Sequence, residues 1–310
     1  MTTSSPLRKI AGTMPQFAPA DSKALTVQAL TNGHEDEVLA FLSARPLHTV
    51  FMAGMIRDNG LESPFNRGTF YAYRNEAGKL EGVALIGHAT LIEARTEAAL
   101  QAFANEAQNC RRAHMIMGER EKVESFWNCY KGGGQAPRLA CRELLFEQRW
   151  PIEVREAVRG LRLATLDDLE LVMPVQAEMA LAESGVNPMQ TDPFGFRLRC
   201  GRRIEQGRVW VLVENGKLIF KADIISDTSE VVYLEGIYVA PEERGKGYGL
   251  RCLSQLSRNL LARTKSACLL INELNQEAHS FYKKAGYKLT ALYDTIFLQK
   301  PPAPSVIANN

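Results

Sequence analysis

No apolar stretch of this chain approaches the ~20 residues that cross a bilayer, so no membrane-spanning helix is expected. Residues 1–20 are rich in Ser, Pro and Ala and carry only Arg8 and Lys9 as charges. They lack the continuous apolar core of a secretion signal and read as a disordered leader (1–22). The six cysteines form no Cys-x-x-Cys pair, and the five histidines are dispersed. Those absences argue against zinc or another metal and for a reducing, cytoplasmic setting. A net charge of +2 with no long basic run gives no drive toward nucleic acid. The arginines at 197, 199, 202 and 203 read as a solvated helix face. Two phosphate-loop patterns are also missing. There is no Gly-x-x-x-x-Gly-Lys-Ser/Thr string, and a Gly-x-G-x-x-G count started at Gly245 ends on Leu250.

What is present is a chain of 310 residues, 45% hydrophobic and 23% charged, long enough for two globular domains. Its most informative segment runs from Leu234 to Leu250. An apolar strand ending in Ile237, Tyr238 and Val239 enters a turn holding Arg244, Gly245, Lys246, Gly247 and Gly249. The turn opens an amphipathic helix with Leu250, Leu253, Leu256, Leu260 and Leu261 on one side. Glycine lets backbone amides approach a ligand and permits positive φ. A strand–turn–helix unit of this kind aims free N–H groups and the positive end of a helix dipole at one point, which suits a phosphate. A tight turn without ligand is the plainer alternative.

The pattern Arg244-x-x-Gly247-x-Gly249 resembles the acyl-CoA pyrophosphate loop of the GNAT acetyltransferase superfamily. Downstream, Asn275, Ala278, Tyr282, Gly286 and Tyr287 resemble its second signature, Asn-x-x-Ala-x-x-x-Tyr-x-x-x-Gly-Phe/Tyr. The strand around Ala267–Ile271 lies between them, and the match covers Leu161 to Leu298. The resemblance implies an α/β fold with a mixed sheet flanked by helices, and acetyl-CoA as co-substrate. It implies that the backbone at Ile237, Tyr238 and Val239 meets the pantetheine arm. Arg244, Gly245, Lys246, Gly247, Tyr248, Gly249 and Leu250 would hold the pyrophosphate, and Asn275 would orient the arm. Tyr282 would protonate the departing thiolate. As read from the residues alone, Asn275 could equally cap the following helix, and Tyr282 could be a packed helix tyrosine.

Along the chain, the second half opens with a strand at Leu161 and a helix start at Asp167 and Asp168. A hairpin follows, Arg208–Glu214 and Lys217–Ile225, turning at Asn215-Gly216. After the helix at Gln276–Ala285, a closing hairpin is expected from Tyr287–Thr290 and Tyr293–Leu298. The first half reads as a worn copy. Phe70–Ile86 echoes the hairpin, Val123–Gly133 echoes Ala278–Gly286, and Arg142–Gln148 echoes Tyr293–Gln299. The stretch matching the phosphate turn, Gly87 to Leu100, has no further glycine and carries Glu93 and Glu97. The expected domains are a degenerate GNAT-like unit (23–150), a catalytic GNAT unit (159–300) and a flexible tail (301–310). An unrelated α/β first domain is the alternative.

Strand alternation places Tyr233, Glu235 and Ile237 on one face, where Glu235 would serve as general base or pair with Lys221. The acceptor region is expected within 175–205, where Glu178, Glu183 and Asp192 either meet an amine or are simply solvated. The expected activity is acetyl transfer to a primary amine, on a small molecule or a protein, by direct attack in a ternary complex. A non-catalytic acyl-CoA sensor and a tandem interaction scaffold are the rival readings.

Overall fold

The computed structural model describes residues 27–299 apart from 151, 154 and 155; the expected leader and tail lie outside the described residues. The two halves unroll in the same order, apart from one additional short helix between the first two strands of the second half. The first contains β1 (Val27–Ala29), α1 (Glu35–Leu42), α2 (Pro46–Asn59), β2 (Gly68–Arg74), β3 (Leu80–Gly87), β4 (Ala89–Ala94), α3 (Glu97–Gln108), β5 (Met115–Glu119), α4 (Arg120–Tyr130) and β6 (Pro137–Gln148). The second contains β7 (Arg162–Leu163), α5 (Leu169–Ser184), α6 (Pro188–Thr191), α7 (Pro193–Glu205), β8 (Val209–Glu214), β9 (Lys217–Asp227), β10 (Val231–Val239), α8 (Tyr248–Leu261), β11 (Ser266–Asn272), α9 (Gln276–Lys284) and β12 (Lys288–Leu298). The repeat inferred from hairpin similarity is therefore a repeat of element order.

The twelve strands of the described residues join one mixed sheet, in the order β1-β2-β3-β4-β5-β12-β6-β11-β10-β9-β8-β7. The last strands of the two halves have changed places. β6, from the first half, pairs antiparallel with β11 of the second, while β12 pairs with β5 of the first. Between them β6 and β12 pair along their length, from Lys288↔Glu147 to Leu298↔Pro137. A linear boundary between 150 and 159 thus divides the chain but not the sheet. The exchange also replaces the expected closing hairpin. Residues 288–298 form one strand with a register shift between Leu289 and Ala291, because the partner arrives from the other half and no fold-back is needed.

Helices cover both faces. α8 packs with Leu253, Leu256 and Leu260 onto Leu212, Phe220, Leu234 and Leu269, and α9 adds Ala278, Phe281 and Tyr282. Burying side chains of this size contributes roughly 1.5–3 kcal/mol each. On the other face, Val172, Met173 and Ala177 of α5 meet Phe196, Cys200 and Ile204 of α7 over β8 and β9. α2 of the first half reaches across the exchanged strands, where Val50 clusters with Leu145, Tyr233, Cys268 and Tyr293. Bidentate contacts from Arg208 to Asp58, and one from Arg202 to Asn59, add polar ties between the halves. The four arginines read as a solvated face are all engaged: Arg197 with Glu170, Arg199 with Asp192, Arg202 with Asn59 and the Phe65 ring, and Arg203 with Asp223. Among the described residues no helix is long and apolar enough to cross a membrane. All six cysteines are free thiols.

Candidate active site

The site begins with a break in the sheet. β10 and β11 run parallel, but their pairing ends at Tyr233↔Cys268, although β10 continues to Val239 and β11 to Asn272. β11 stays beside β6 to the pair Asn272↔Glu143, whereas β10 follows β9. The two strands splay, and the β11-facing edge of Ile237–Val239 is left without a strand partner. A cleft of about 930 Å³ opens there. It is lined by Glu178, Met179 and Ala182 of α5 on one face and by Tyr248, Phe281 and Tyr282 on the other. The cleft therefore passes through the sheet and gives separate approaches to one central point.

The glycine turn closes one end. After a short 3-10 turn at Pro241–Glu243, Gly245 and Gly247 adopt φ of +78° and +84°, with open space where a side chain would stand. Gly247 is the N-cap of α8 and offers no side-chain cap. The first-turn amides of this 14-residue helix are thus left for a ligand, as the anion-binding reading requires. Gly249 serves packing instead: a Cβ there would sit 3.0 Å from Val239 Cγ2 and 3.2 Å from Phe281 Cε2. Arg244 lines the cleft and donates through Nε to the Val239 carbonyl at 3.1 Å. Lys246 does not line it; its ammonium lies 3.0 Å from Glu243 on the surface. Tyr248 and Leu250 face the cleft. The donor set suits a diphosphate.

At the opposite wall, Asn275 caps α9, its side-chain oxygen accepting from Ala278 N at 3.0 Å, and it also faces the cleft. The capping role and the site position coexist. Tyr282 is half-buried and lines the cleft, with edge-on contacts to Phe281 (5.0 Å) and Tyr287 (5.9 Å). Burial pushes its phenol above the ordinary value, with a smaller push from Tyr287. The group stays protonated near neutrality, the state a proton donor needs. Its hydroxyl makes no hydrogen bond among the described residues, whereas Tyr287 bonds Ser257 at 2.9 Å.

The expected alignment of Tyr233, Glu235 and Ile237 on one face does not hold. Glu235 pairs with Asp223 and Tyr238 with Lys221, so Gly236 and Ile237 oppose the single residue Ala222. This bulge inverts the alternation. Ile237 and Val239 join Leu234 on the α8 face, and Glu235 stays with Tyr233 on the other. Nor does Glu235 pair with Lys221, whose ammonium goes to Asp223 at 2.9 Å and to the Gly236 carbonyl at 3.1 Å. Glu235 makes no hydrogen bond or ion pair among the described residues, and burial raises its carboxyl above the usual range.

Two more carboxyls gather near it. Glu143, on the exchanged strand β6, is raised first by burial and then by Glu235 and Asp294, against a bond from Thr295. Glu183, at the end of α5, is raised to about 8 by loss of water around the carboxyl and by Glu235 and Glu143. Of the other two acids in this region, Glu178 lines the cleft, whereas Asp192 is exposed, caps α7 at Gly195 N and pairs with Arg199. Glu143 went unnoticed in the sequence because the exchange that brings it here is long-range. The bulge carried a signal: an isolated glycine inside the apolar run from Val231 to Val239.

The first half supplies a comparison within the same chain. β4 and β5 also part after Leu91↔Met117, and Glu93 occupies the place of Glu235. There the acid is buried and ion-paired, with Lys122 at 2.6 Å and Arg45 at 3.2 Å. β4 passes to α3 through Arg95 and Thr96 alone, and the Thr96 hydroxyl already caps Ala99 N at 3.3 Å. The cavity near the gap is only about 20 Å³.

Residues 205–289 match the acetyltransferase (GNAT) domain family. No curated protein matches the sequence. Among solved structures, the chain is similar to a GNAT-family acetyltransferase from Colwellia psychrerythraea, at 14% identity and a TM-score of 0.54, covering 88% of this chain and 100% of that one. A GCN5-related N-acetyltransferase from Sphaerobacter thermophilus aligns at 13% identity and a TM-score of 0.53, covering 89% and 96%. A tandem GNAT protein from the clavulanic acid biosynthesis pathway aligns at 11% identity and a TM-score of 0.54, covering 89% and 99%. At such identities the likeness is one of fold, and it extends over both halves.

Proposed function

We propose that the second half, whose residues 205–289 match the acetyltransferase (GNAT) domain family, transfers an acetyl group from acetyl-CoA to a primary amine, and that the first half is a degenerate copy without cofactor binding. The observation that carries this reading is the pairing of an uncapped helix start at Gly247 with a strand gap at Ile237–Val239, both facing one cleft. Amides from Gly245 to Leu250, with Arg244, would hold the pyrophosphate. The open edge of β10 would hold the pantetheine arm, and an N–H near Val239 would face the carbonyl oxygen as negative charge grows on it. The thioester supplies an activated acyl carbon and a thiolate leaving group.

The residues divide the proton traffic. The amine nitrogen bonds to the acyl carbon as the C–S bond breaks. Glu235 is not among the residues that line the cleft, so the amine proton passes to it through water, and the sulfur takes a proton from Tyr282. Solvent then returns the proton from the carboxyl to the phenolate. Glu235 suits the base role because its carboxyl has no cationic partner of its own, unlike Glu93 in the first half. Among the described residues no cysteine lines the cleft, and its serine, Ser280, stands on α9 and not on the open strand edge, which favours direct attack over an acyl-enzyme.

The test is CoA-thiol release from acetyl-CoA against a panel of primary amines, with the acetylated product identified by mass. Transfer to at least one amine, reduced in Tyr282→Phe, is expected. Tight acetyl-CoA binding with inertness across the panel would favour a sensor, and absence of binding would overturn the reading.

A further inference from the structure

Beneath the bulge in β10 lies a charged network that acetyl transfer, as described above, does not use. Lys221 of β9 is 0% exposed and Asp223 is 1% exposed, and their ion pair spans 2.9 Å. A buried ammonium persists in a protein only where partners replace its water. Here the partners are Asp223 and one backbone group, the carbonyl of Gly236 at 3.1 Å. Arg203 of α7 braces Asp223 from the other side at 3.4 Å.

Gly236 is the extra residue of the bulge and has φ of +60°. A Cβ there would lie 2.8 Å from Lys221 Nζ, 3.1 Å from Asp223 Oδ2 and 3.2 Å from Gln176 Oε1. The network thus fills the space against the glycine, and bulge and lysine are fitted to each other. The parity change that carries Ile237 and Val239 to the cleft side begins at this residue.

The first half shows the arrangement without these parts. β3 and β4 pair from Gly82↔Ala94 to Leu85↔Leu91 with no register shift. With Glu93 opposite Val83, Val83 stands where Asp223 does and Glu81 where Lys221 does. Bulge, buried cation and counter-ion are absent together from the half that lacks the phosphate turn, and present together in the half that has it.

We propose that Lys221 is a positioning residue: anchored by Asp223, its ammonium holds the Gly236 carbonyl and fixes the bulge that presents Ile237–Val239 to the thioester. The inference rests on the acetyl-transfer reading. Lys221 touches neither reactant; it acts through the backbone it holds.

The experiment follows the carbonyl of [1-¹³C]acetyl-CoA by NMR on the full chain, alongside turnover with the best amine from the panel. The wild type should bind and move the carbonyl signal downfield, as polarisation by a backbone N–H requires. Lys221→Met combined with Asp223→Asn removes both buried charges at nearly constant volume. It should fold by circular dichroism and still bind acetyl-CoA through the pyrophosphate grip, with at most a few-fold loss of affinity from the arm held on the β10 edge. The downfield shift should vanish, and kcat should fall by about tenfold to a hundredfold, as for other small misplacements of reacting groups. Gly236→Ala, with Lys221 intact, should give the same signature. Retention of the carbonyl shift and of kcat in a folded variant would overturn the proposal, as would unfolding of both variants, which would make the network a folding element only. If the wild type does not bind acetyl-CoA, the acetyl-transfer reading itself fails, a result separate from any property of the variants.

Discussion

Replacing Gly247 tests the phosphate turn through conformation alone, because the position combines φ of +84° with open space around the missing side chain. Alanine there meets no atom, so its whole cost is the left-handed backbone, about 1–2 kcal/mol for an L-residue. That cost can appear in two places. If the turn keeps its shape, the fold loses the energy and the denaturant midpoint falls. If the free turn relaxes, binding must restore the shape, and the Kd for acetyl-CoA rises by about 5- to 30-fold. Asparagine tolerates the left-handed region far better, so Gly247→Asn should sit close to the wild type on both scales. Gly247→Glu adds a carboxylate beside the diphosphate. At about 4 Å and an effective dielectric near 20, that repulsion is roughly 4 kcal/mol per pair of charges and should abolish measurable binding. Isothermal titration and urea unfolding of the three variants separate the terms. If Gly247→Ala leaves both affinity and midpoint unchanged, or Gly247→Glu still binds acetyl-CoA like the wild type, the assignment of the turn is refuted.

Other consequences follow from the same geometry. Tyr282→Phe should lower kcat by roughly 10²- to 10⁴-fold with little effect on acetyl-CoA affinity; an equal loss in affinity would make the ring, not the hydroxyl, the functional part. Because β6 fills the space between β11 and β12, a fragment beginning at residue 151 should not fold alone by circular dichroism. Co-expressed with residues 1–150 it should assemble, and a folded, active isolated fragment would contradict the strand exchange. For pH, a base with a raised carboxyl pKa makes kcat/KM climb on going up from acid, at a higher pH than an ordinary carboxylate would give. The carboxylate that adds to the raised value of Glu235 is Asp223, so Asp223→Asn should move the acid limb to lower pH, as measured in the thiol-release assay. In stability the sign is the reverse. Glu143 holds its proton more tightly folded than at its ordinary 4.5, so its contribution is present below that pH and is lost as pH rises through the raised value. Glu143→Gln should therefore flatten the decline of the urea midpoint toward alkaline pH.

What was legible in the sequence is what local chemistry dictates. The Asn215-Gly216 turn adopts positive φ at both residues, at 50° and 72°, and joins β8 to β9 as expected. The glycine turn, the stripe of leucines on α8 and the capping asparagine at 275 fall where spacing places them. The missing glycines between Gly87 and Leu100 correspond to a tight, already capped strand-to-helix turn. The rest depended on distant partners. β6 and β12 both read as final strands of their own halves, and nothing within Arg142–Gln148 or Tyr293–Leu298 says which half each will join. Alternation misplaced Ile237 because one inserted residue reverses every side chain beyond it. An ion pair of Lys221 with Glu235 is one of the two readings the sequence leaves open, whereas the partners of Lys221 are Asp223 on its own strand and a carbonyl freed by the bulge.

A crystal structure with bound acetyl-CoA, or an analogue that cannot transfer its acyl group, tests the central claim most directly. The account predicts the diphosphate on the amides of Gly245–Leu250, the arm paired along Ile237–Val239, and the acyl group between Tyr282 and Glu235. Density for the diphosphate at the β4–β5 gap of the first half, or anywhere other than the Gly247 turn, would contradict it.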